Sequence, residues 1–159
     1  SKNVLDIGAA PGSWSQVIQK KNKKLTNTSN LGVDLLNIEP MENVKFIKGD
    51  FQSNQVRNLI DLFFENSKID LILSDMSPNL TGISVVDAAN VIRLGELVLE
   101  FSIDRLSAEG NMVVKTFHSS SFTQLLEKYK KKFRRVKIKK PNSSKSDSSE
   151  LFLIVSGLR

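Results

Sequence analysis

The 159 residues are 40% hydrophobic, enough for one core and too few for two large domains, and no apolar run approaches the length of a membrane span. With 23 Lys and Arg against 17 Asp and Glu the formal charge is +6, which suits a polyanion such as nucleic acid and leaves an acidic substrate or a membrane surface open. The lack of cysteine excludes disulfides, thiolate zinc sites and cysteine nucleophiles, and a single His118 offers little to a metal. No metal is therefore expected, and chemistry falls to Lys, Asp, Glu, Ser and backbone groups.

Residues 4–7 read as a short buried strand, and the small residues Gly8-Ala9-Ala10-Pro11-Gly12-Ser13 as a tight turn into a helix over 14–21. Residues 22–30 are polar and read as a loop. Strands follow at 31–36 and 44–47. A helix over 54–64 presents Val56, Leu59, Ile60 and Phe63 on one face. Residues 69–75 form the clearest central strand, apolar until the acidic Asp75. A loop marked by Pro78, Asn79 and Gly82 leads to a long helix over 85–106. That helix offers Ala88, Val91, Ile92, Gly95, Leu99 and Ile103 for burial, and Ala108-Glu109-Gly110 ends it. A fifth strand at 111–115 precedes a helix through Phe122, Leu125, Leu126 and Tyr129. Strands at 136–139 and 151–155 flank a polar loop over 141–149, and without a helix between them they should pair antiparallel. The pattern predicts an α/β, Rossmann-like sheet with a C-terminal antiparallel hairpin.

In such sheets ligands bind beyond the carboxyl ends of the strands. The polar residues at those ends are Gly12 and Trp14 after the first strand, Asp34 in the second, Asp50 after the third, Asp75 after the fourth and Lys115 after the fifth. The turn lacks the lysine of a triphosphate loop and the glycine spacing of a dinucleotide loop, which leaves a less charged nucleoside ligand. Trp14 has two readings, packing on that ligand or locking the helix to the sheet. Asp34 suits ribose hydroxyls or a cap; Asp50 suits an adenine amine or a turn. Asp75 and Lys115 each follow a strongly apolar strand and are expected to pair, facing a substrate or joining two strand ends. Glu150 either completes the cluster or serves as an ordinary strand-entry carboxylate. Residues 128–140 carry eight Lys and Arg besides Lys128, a segment that would attract RNA phosphates or protect a sheet edge.

Taken in order, residues 4–16 (Val4 to Gln16), 31–36, 49–51, 73–82, 113–117, 140–144 and 148–152 resemble the motifs of the FtsJ-like (RrmJ-type) ribosomal RNA ribose 2′-O-methyltransferases across essentially the whole chain. This resemblance implies a class I methyltransferase sheet that binds S-adenosylmethionine through Gly12, Trp14, Asp34, Asp50 and Asp75. It further implies that Asp75, Lys115 and Glu150 are three members of the family's Lys-Asp-Lys-Glu catalytic tetrad. The fourth member, a lysine in an upstream helix, has no counterpart, because Lys2 lies too close to the first strand; a single methyltransferase domain over 1–159 without its N-terminal helical segment is the expectation. The implied substrate is ribosomal RNA or a large-subunit precursor, at a uridine, acted on by a monomer. Transfer RNA, an mRNA cap and a catalytically silent RNA-binding assembly role are the alternatives. The resemblance together with a lysine- and asparagine-containing sequence points to the mitochondrion, with the bacterial cytoplasm as the other location.

Overall fold

The computed structural model describes residues 2–22, 27–141 and 149–159. The elements are β1 (Lys2–Ile7), α1 (Ser13–Asn22), β2 (Thr28–Asp34), β3 (Lys45–Lys48), α2 (Asn54–Phe63), β4 (Ile69–Ser74), α3 (Ser84–Arg105), β5 (Leu106–Phe117), α4 (Phe122–Lys132), β6 (Phe133–Lys139) and β7 (Glu150–Leu158). The strands form one sheet in the order β3-β2-β1-β4-β5-β7-β6. The chain winds outward from β1 to β3, returns to start again at β4, and so creates a reversal between β1 and β4. Pairing is parallel from β3 through β5, whereas β7 runs antiparallel between β5 and β6. This is the mixed α/β sheet with antiparallel C-terminal strands that the sequence pattern predicts.

Right-handed crossovers send α1 to one face of the sheet and the later helices to the other. Strand alternation then sorts the side chains. Leu5, Ile72 and Met112 stand side by side in register and are fully buried, in one core with Ile60 of α2 and Val98 and Phe101 of α3. Their neighbours Val4, Leu71, Leu73 and Val113 face α1 instead and line a trough of about 550 Å³ with Trp14, Val17 and Ile18. Helix α2 starts where the Ser53 hydroxyl accepts the Val56 N–H at 3.2 Å, an N-cap that satisfies one of the helix's unpaired donors. Helices α3 and α4 are joined by Tyr129, whose buried hydroxyl donates to the Gly95 carbonyl at 2.7 Å. The two helices pack closely at Gly95, where an added Cβ would stand 2.7 Å from a Leu125 methyl group.

Three local expectations change. β2 begins at Thr28 rather than 31, because Lys2, Asn3 and Val4 give residues 28–30 strand partners and the Asn30 amide donates to the Asn43 carbonyl. The same strand stops at Asp34, leaving Leu35 and Leu36 about two-thirds exposed. The long helix ends at Arg105, and Ala108-Glu109-Gly110 lies inside β5 next to an irregularity in its pairing with β4, not in a separate turn. On α2, Leu59 is exposed while Phe64 takes its place in the core. Most of the polar loop expected over 141–149, with the central part of the motif over 140–144, lies outside the described residues, as do residues 23–26.

Candidate active site

The glycine turn after β1 is held from three sides. Gly8 and Ala9 N–H groups donate to the Val33 carbonyl at 2.9 and 3.1 Å, Ala10 N–H donates to the Asp34 carboxylate at 2.9 Å, and the Asp75 N–H donates back to the Ile7 carbonyl at 2.9 Å. Gly8 sits at φ +75°, and a Cβ there would lie 3.0 Å from the Met76 nitrogen and 3.1 Å from the Asp75 carbonyl carbon. Glycine at this point lets the ends of β1 and β4 approach across the reversal in strand order. Gly12, at φ +113°, ends the turn and opens α1.

Asp34, Asp50 and Asp75 each have defined partners at the rim. The two oxygens of Asp34 accept the backbone N–H groups of Ala10 and Leu36, so this carboxylate fixes the shape of the turn and of the segment after β2. Asp50 accepts from the Gln52 N–H at 2.8 Å and its carbonyl receives the Ser53 hydroxyl, which is the turn-forming arrangement. Asp75 forms an ion pair with Lys115, Oδ1 to Nζ 2.8 Å, with the lysine side chain largely buried. Glu150 opens β7 opposite Phe117 and is half-buried.

Register shows which of these groups share a face. Asp6 is paired with Leu73, and Leu73 with Val113, so Asp6, Asp75 and Lys115 all alternate onto the α1 face. Phe152 lies across from Lys115, and Glu150, two residues earlier on β7, has the same orientation. The fold thus gathers Asp75, Lys115 and Glu150 at one end and on one face of the sheet, beside the turn carrying Gly12. Trp14 is the exception among the expected ligand contacts. It lines the trough and packs on Phe152 with ring centroids 5.6 Å apart, a contact that ties α1 to β7. Lys2 belongs to β1 and pairs with Thr28, at the opposite end of the strand from Asp75.

Sequence reasoning assigned nothing to Asp6. Its side chain is 1% exposed; Oδ2 accepts the buried Ser15 hydroxyl at 2.7 Å and Oδ1 has no partner among the described residues. Burial, reinforced by the negative charges of Asp75 and Asp34, raises its pKa to about 6. The signal was present, an acid in the middle of an apolar strand directly before the turn. Asp6, Asp34 and Asp75 therefore form an acidic rim at the strand-order reversal of a chain whose net charge is positive.

A doubly wound sheet with a glycine turn, no phosphate-loop lysine and clustered carboxylates at the strand ends suits a nucleoside ligand that carries positive charge. A sequence profile of the FtsJ-like methyltransferases matches residues 1–158. Large-subunit ribosomal RNA methyltransferase E of Bordetella pertussis is 40% identical over 159 residues, covering 98% of this chain and 76% of the relative, and that of a Janthinobacterium species is 39% identical over 155. The crystal structure of a ribosomal RNA methyltransferase from Plasmodium falciparum superposes with a TM-score of 0.88 at 29% identity, covering 99% of this chain and 87% of the other. Human methyltransferase-like protein 13, solved with S-adenosylhomocysteine, shares the fold at 14% identity and a TM-score of 0.66. The chain belongs to the FtsJ-like methyltransferase family, and S-adenosylmethionine is its methyl donor. The site fits that donor on its own evidence. The acidic rim complements a sulfonium and an ammonium, and the buried, unpartnered Asp6 oxygen beneath the turn is an acceptor without a donor.

Proposed function

We propose that this chain methylates a ribose 2′-hydroxyl of large-subunit ribosomal RNA, at a uridine, using Lys115, Asp75 and Glu150. The observation that carries the reading is the Lys115–Asp75 pair, which stands at the same rim and on the same face as the acidic cluster below the glycine turn. The names of the sequence relatives support the substrate class. Bound S-adenosylmethionine supplies a methyl group already activated by its sulfonium, so the protein's tasks are alignment and charge stabilisation. In this assignment Gly12 and the turn backbone hold the donor closely, with Asp34 shaping the turn and Asp50 facing the nucleoside end. Asp75 fixes the Lys115 ammonium, which meets the negative charge that develops on the ribose oxygen as its proton departs to water at the open rim. Glu150 orients the ribose from β7.

A single substitution tests the reading. With the full-length protein, Lys115→Ala should retain donor affinity within a few-fold by calorimetry and lose about 100- to 1,000-fold in turnover, the range for removing one charge-stabilising donor. Mass mapping of ribosomal RNA from cells lacking the gene, restored by wild type and not by Lys115→Ala, identifies the acceptor. Wild-type turnover by the variant, or restoration of a methyl group on transfer RNA or a cap instead, overturns the proposal. Mitochondrial location belongs to the same proposal. It is supported by the character of the sequence, set against bacterial sequence relatives, and imaging of the tagged full-length protein in its own cells decides it.

A further inference from the structure

A second cavity, of about 470 Å³, opens beyond β5 on the α3 side of the rim. Its walls continue the elements that carry the catalytic candidates. Leu80 lies on the segment after Asp75, Phe117 and His118 follow Lys115, and Ser149 precedes Glu150. The His118 N–H donates to the Ser149 carbonyl at 2.7 Å and closes this end. The opposite wall is the start of α3, where Asp87 holds Thr81 by both its N–H and its hydroxyl at 2.8 Å and so fixes the approach to the helix.

The lining combines apolar surface with a polar edge. Leu80 and Val85 are 76% and 78% exposed and, with the exposed Ile83 between them, make a continuous apolar stretch of the kind that marks an interaction site. Ser84, Ser119 and Ser120 give the lining its polar edge. A flat, apolar ligand with hydrogen-bonding groups around its edge satisfies both features. An unstacked nucleobase is such a ligand, and stacking on apolar and aromatic walls is how single-stranded RNA bases are held. Position narrows the choice further. The turn, Asp34 and Asp50 lie at the ends of β1 to β3, the Asp75–Lys115 pair joins the ends of β4 and β5, and the cavity is walled by the segments that leave those same two strands. Carbon 2′ of a ribose is bonded to the carbon that bears the base, so a ribose oxygen held at Lys115 brings its own base to the neighbouring wall.

We infer that this cavity receives the base of the acceptor nucleotide, turned out of its stack, with Leu80, Val85 and Phe117 against its faces and the serines of the lining at its edge. The inference rests on the proposed ribose methylation. Two variants of the full-length protein test it, Ala88→Trp, which fills the cavity, and Leu80→Glu, an exposed change that the fold tolerates. Donor binding by calorimetry serves as the folding control. The RNA probes are a transcript spanning the mapped methylation site and the same RNA with an abasic ribose at that nucleotide. On the intact RNA each variant should lower kcat/KM about tenfold or more, the size of one lost stacking contact. The wild type should lose as much on the abasic RNA, and the variants should lose nothing further on it. Undiminished kcat/KM in both variants overturns the inference, as do losses of equal size on intact and abasic RNA, which would assign the cavity to another partner. Failure of the wild-type protein to methylate any ribose refutes the underlying reaction instead, and is recognised by the absence of product on every RNA.

Discussion

Replacing Asp6 by asparagine separates what this residue does for stability from what it does for the donor. The folded protein holds a proton on Asp6 up to about pH 6, against an ordinary value of 3.8, a difference equivalent to about 3 kcal/mol. The sign follows from proton counting. Between those two pH values the folded state binds more protons than the unfolded chain, so stability is full below pH 3.8 and falls as the pH rises through about 6. Above that, folding must bury a carboxylate whose Oδ1 has no partner among the described residues. Asp6→Asn keeps an acceptor for the Ser15 hydroxyl and carries no charge, so it should be more stable than wild type at pH 8. The gain should be up to about 3 kcal/mol, less the cost of leaving the new amide donors unpaired. Urea denaturation of both proteins at unit steps from pH 4 to 8 measures this, with the other titrating groups cancelling in the difference. The same variant should bind S-adenosylmethionine more weakly, because it removes charge from the acidic rim. A stability difference that stays constant from pH 4 to 8 refutes the assignment of the buried charge to Asp6.

Three other outcomes follow. Gly8→Ala forces a side chain into left-handed backbone 3.0 Å from the Met76 nitrogen; it should cost about 1–2 kcal/mol from the backbone alone, read by urea denaturation, and should reduce turnover by displacing Asp75 from Lys115. Tyr129→Phe removes the buried bond from α4 to the Gly95 carbonyl and should cost about 1 kcal/mol, lowering the melting temperature by roughly 2–4 °C while donor affinity stays unchanged. Neutralising the exposed Lys132, Arg134 and Lys137 together should weaken RNA binding at low salt and flatten its dependence on ionic strength by about two to three units in log–log slope. Donor affinity measured across the same salt series should not respond to these three changes.

Much of the rim is legible from the residues because each strand announces its end chemically. Leu71 and Ile72 run into Asp75, Val113 and Val114 into Lys115, and Leu31 and Val33 flank the glycine before Asp34. An apolar run that stops at a charge is both a burial signal and a boundary. Less legible are the places where polar side chains find internal partners. Thr28 to Asn30 look like loop until β1 supplies a ladder, and Asp6 looks like an ordinary strand acid until Ser15 comes over it from α1. Local pattern carries no information about such partners, since Ser15 and Asp6 meet only after the turn has folded. Trp14 shows the same limit. Its ring meets Phe152, at the other end of the chain, a contact that no local pattern contains.

The net charge of the chain pointed toward RNA but concealed how the charge is distributed. Asp6, Asp34 and Asp75 occupy the ends of β1, β2 and β4, whereas the exposed Lys and Arg residues concentrate on α4 and β6, at the far edge of the sheet. Strand order alone produces this separation, because β7 inserts between β5 and β6 and carries the basic edge away from the acids. Within β6 only Lys139 stands level with Lys115, through Phe152 between them, whereas Arg135 lies level with Asn111 at the other end of the sheet. At the rim Lys115 of β5 is paired with Asp75, the residue that follows β4, so the cation nearest the acids is held by one of them. A polyanion held along β6 approaches Lys115 from the edge away from Asp6 and Asp34, so the insertion of β7 keeps it clear of like charge.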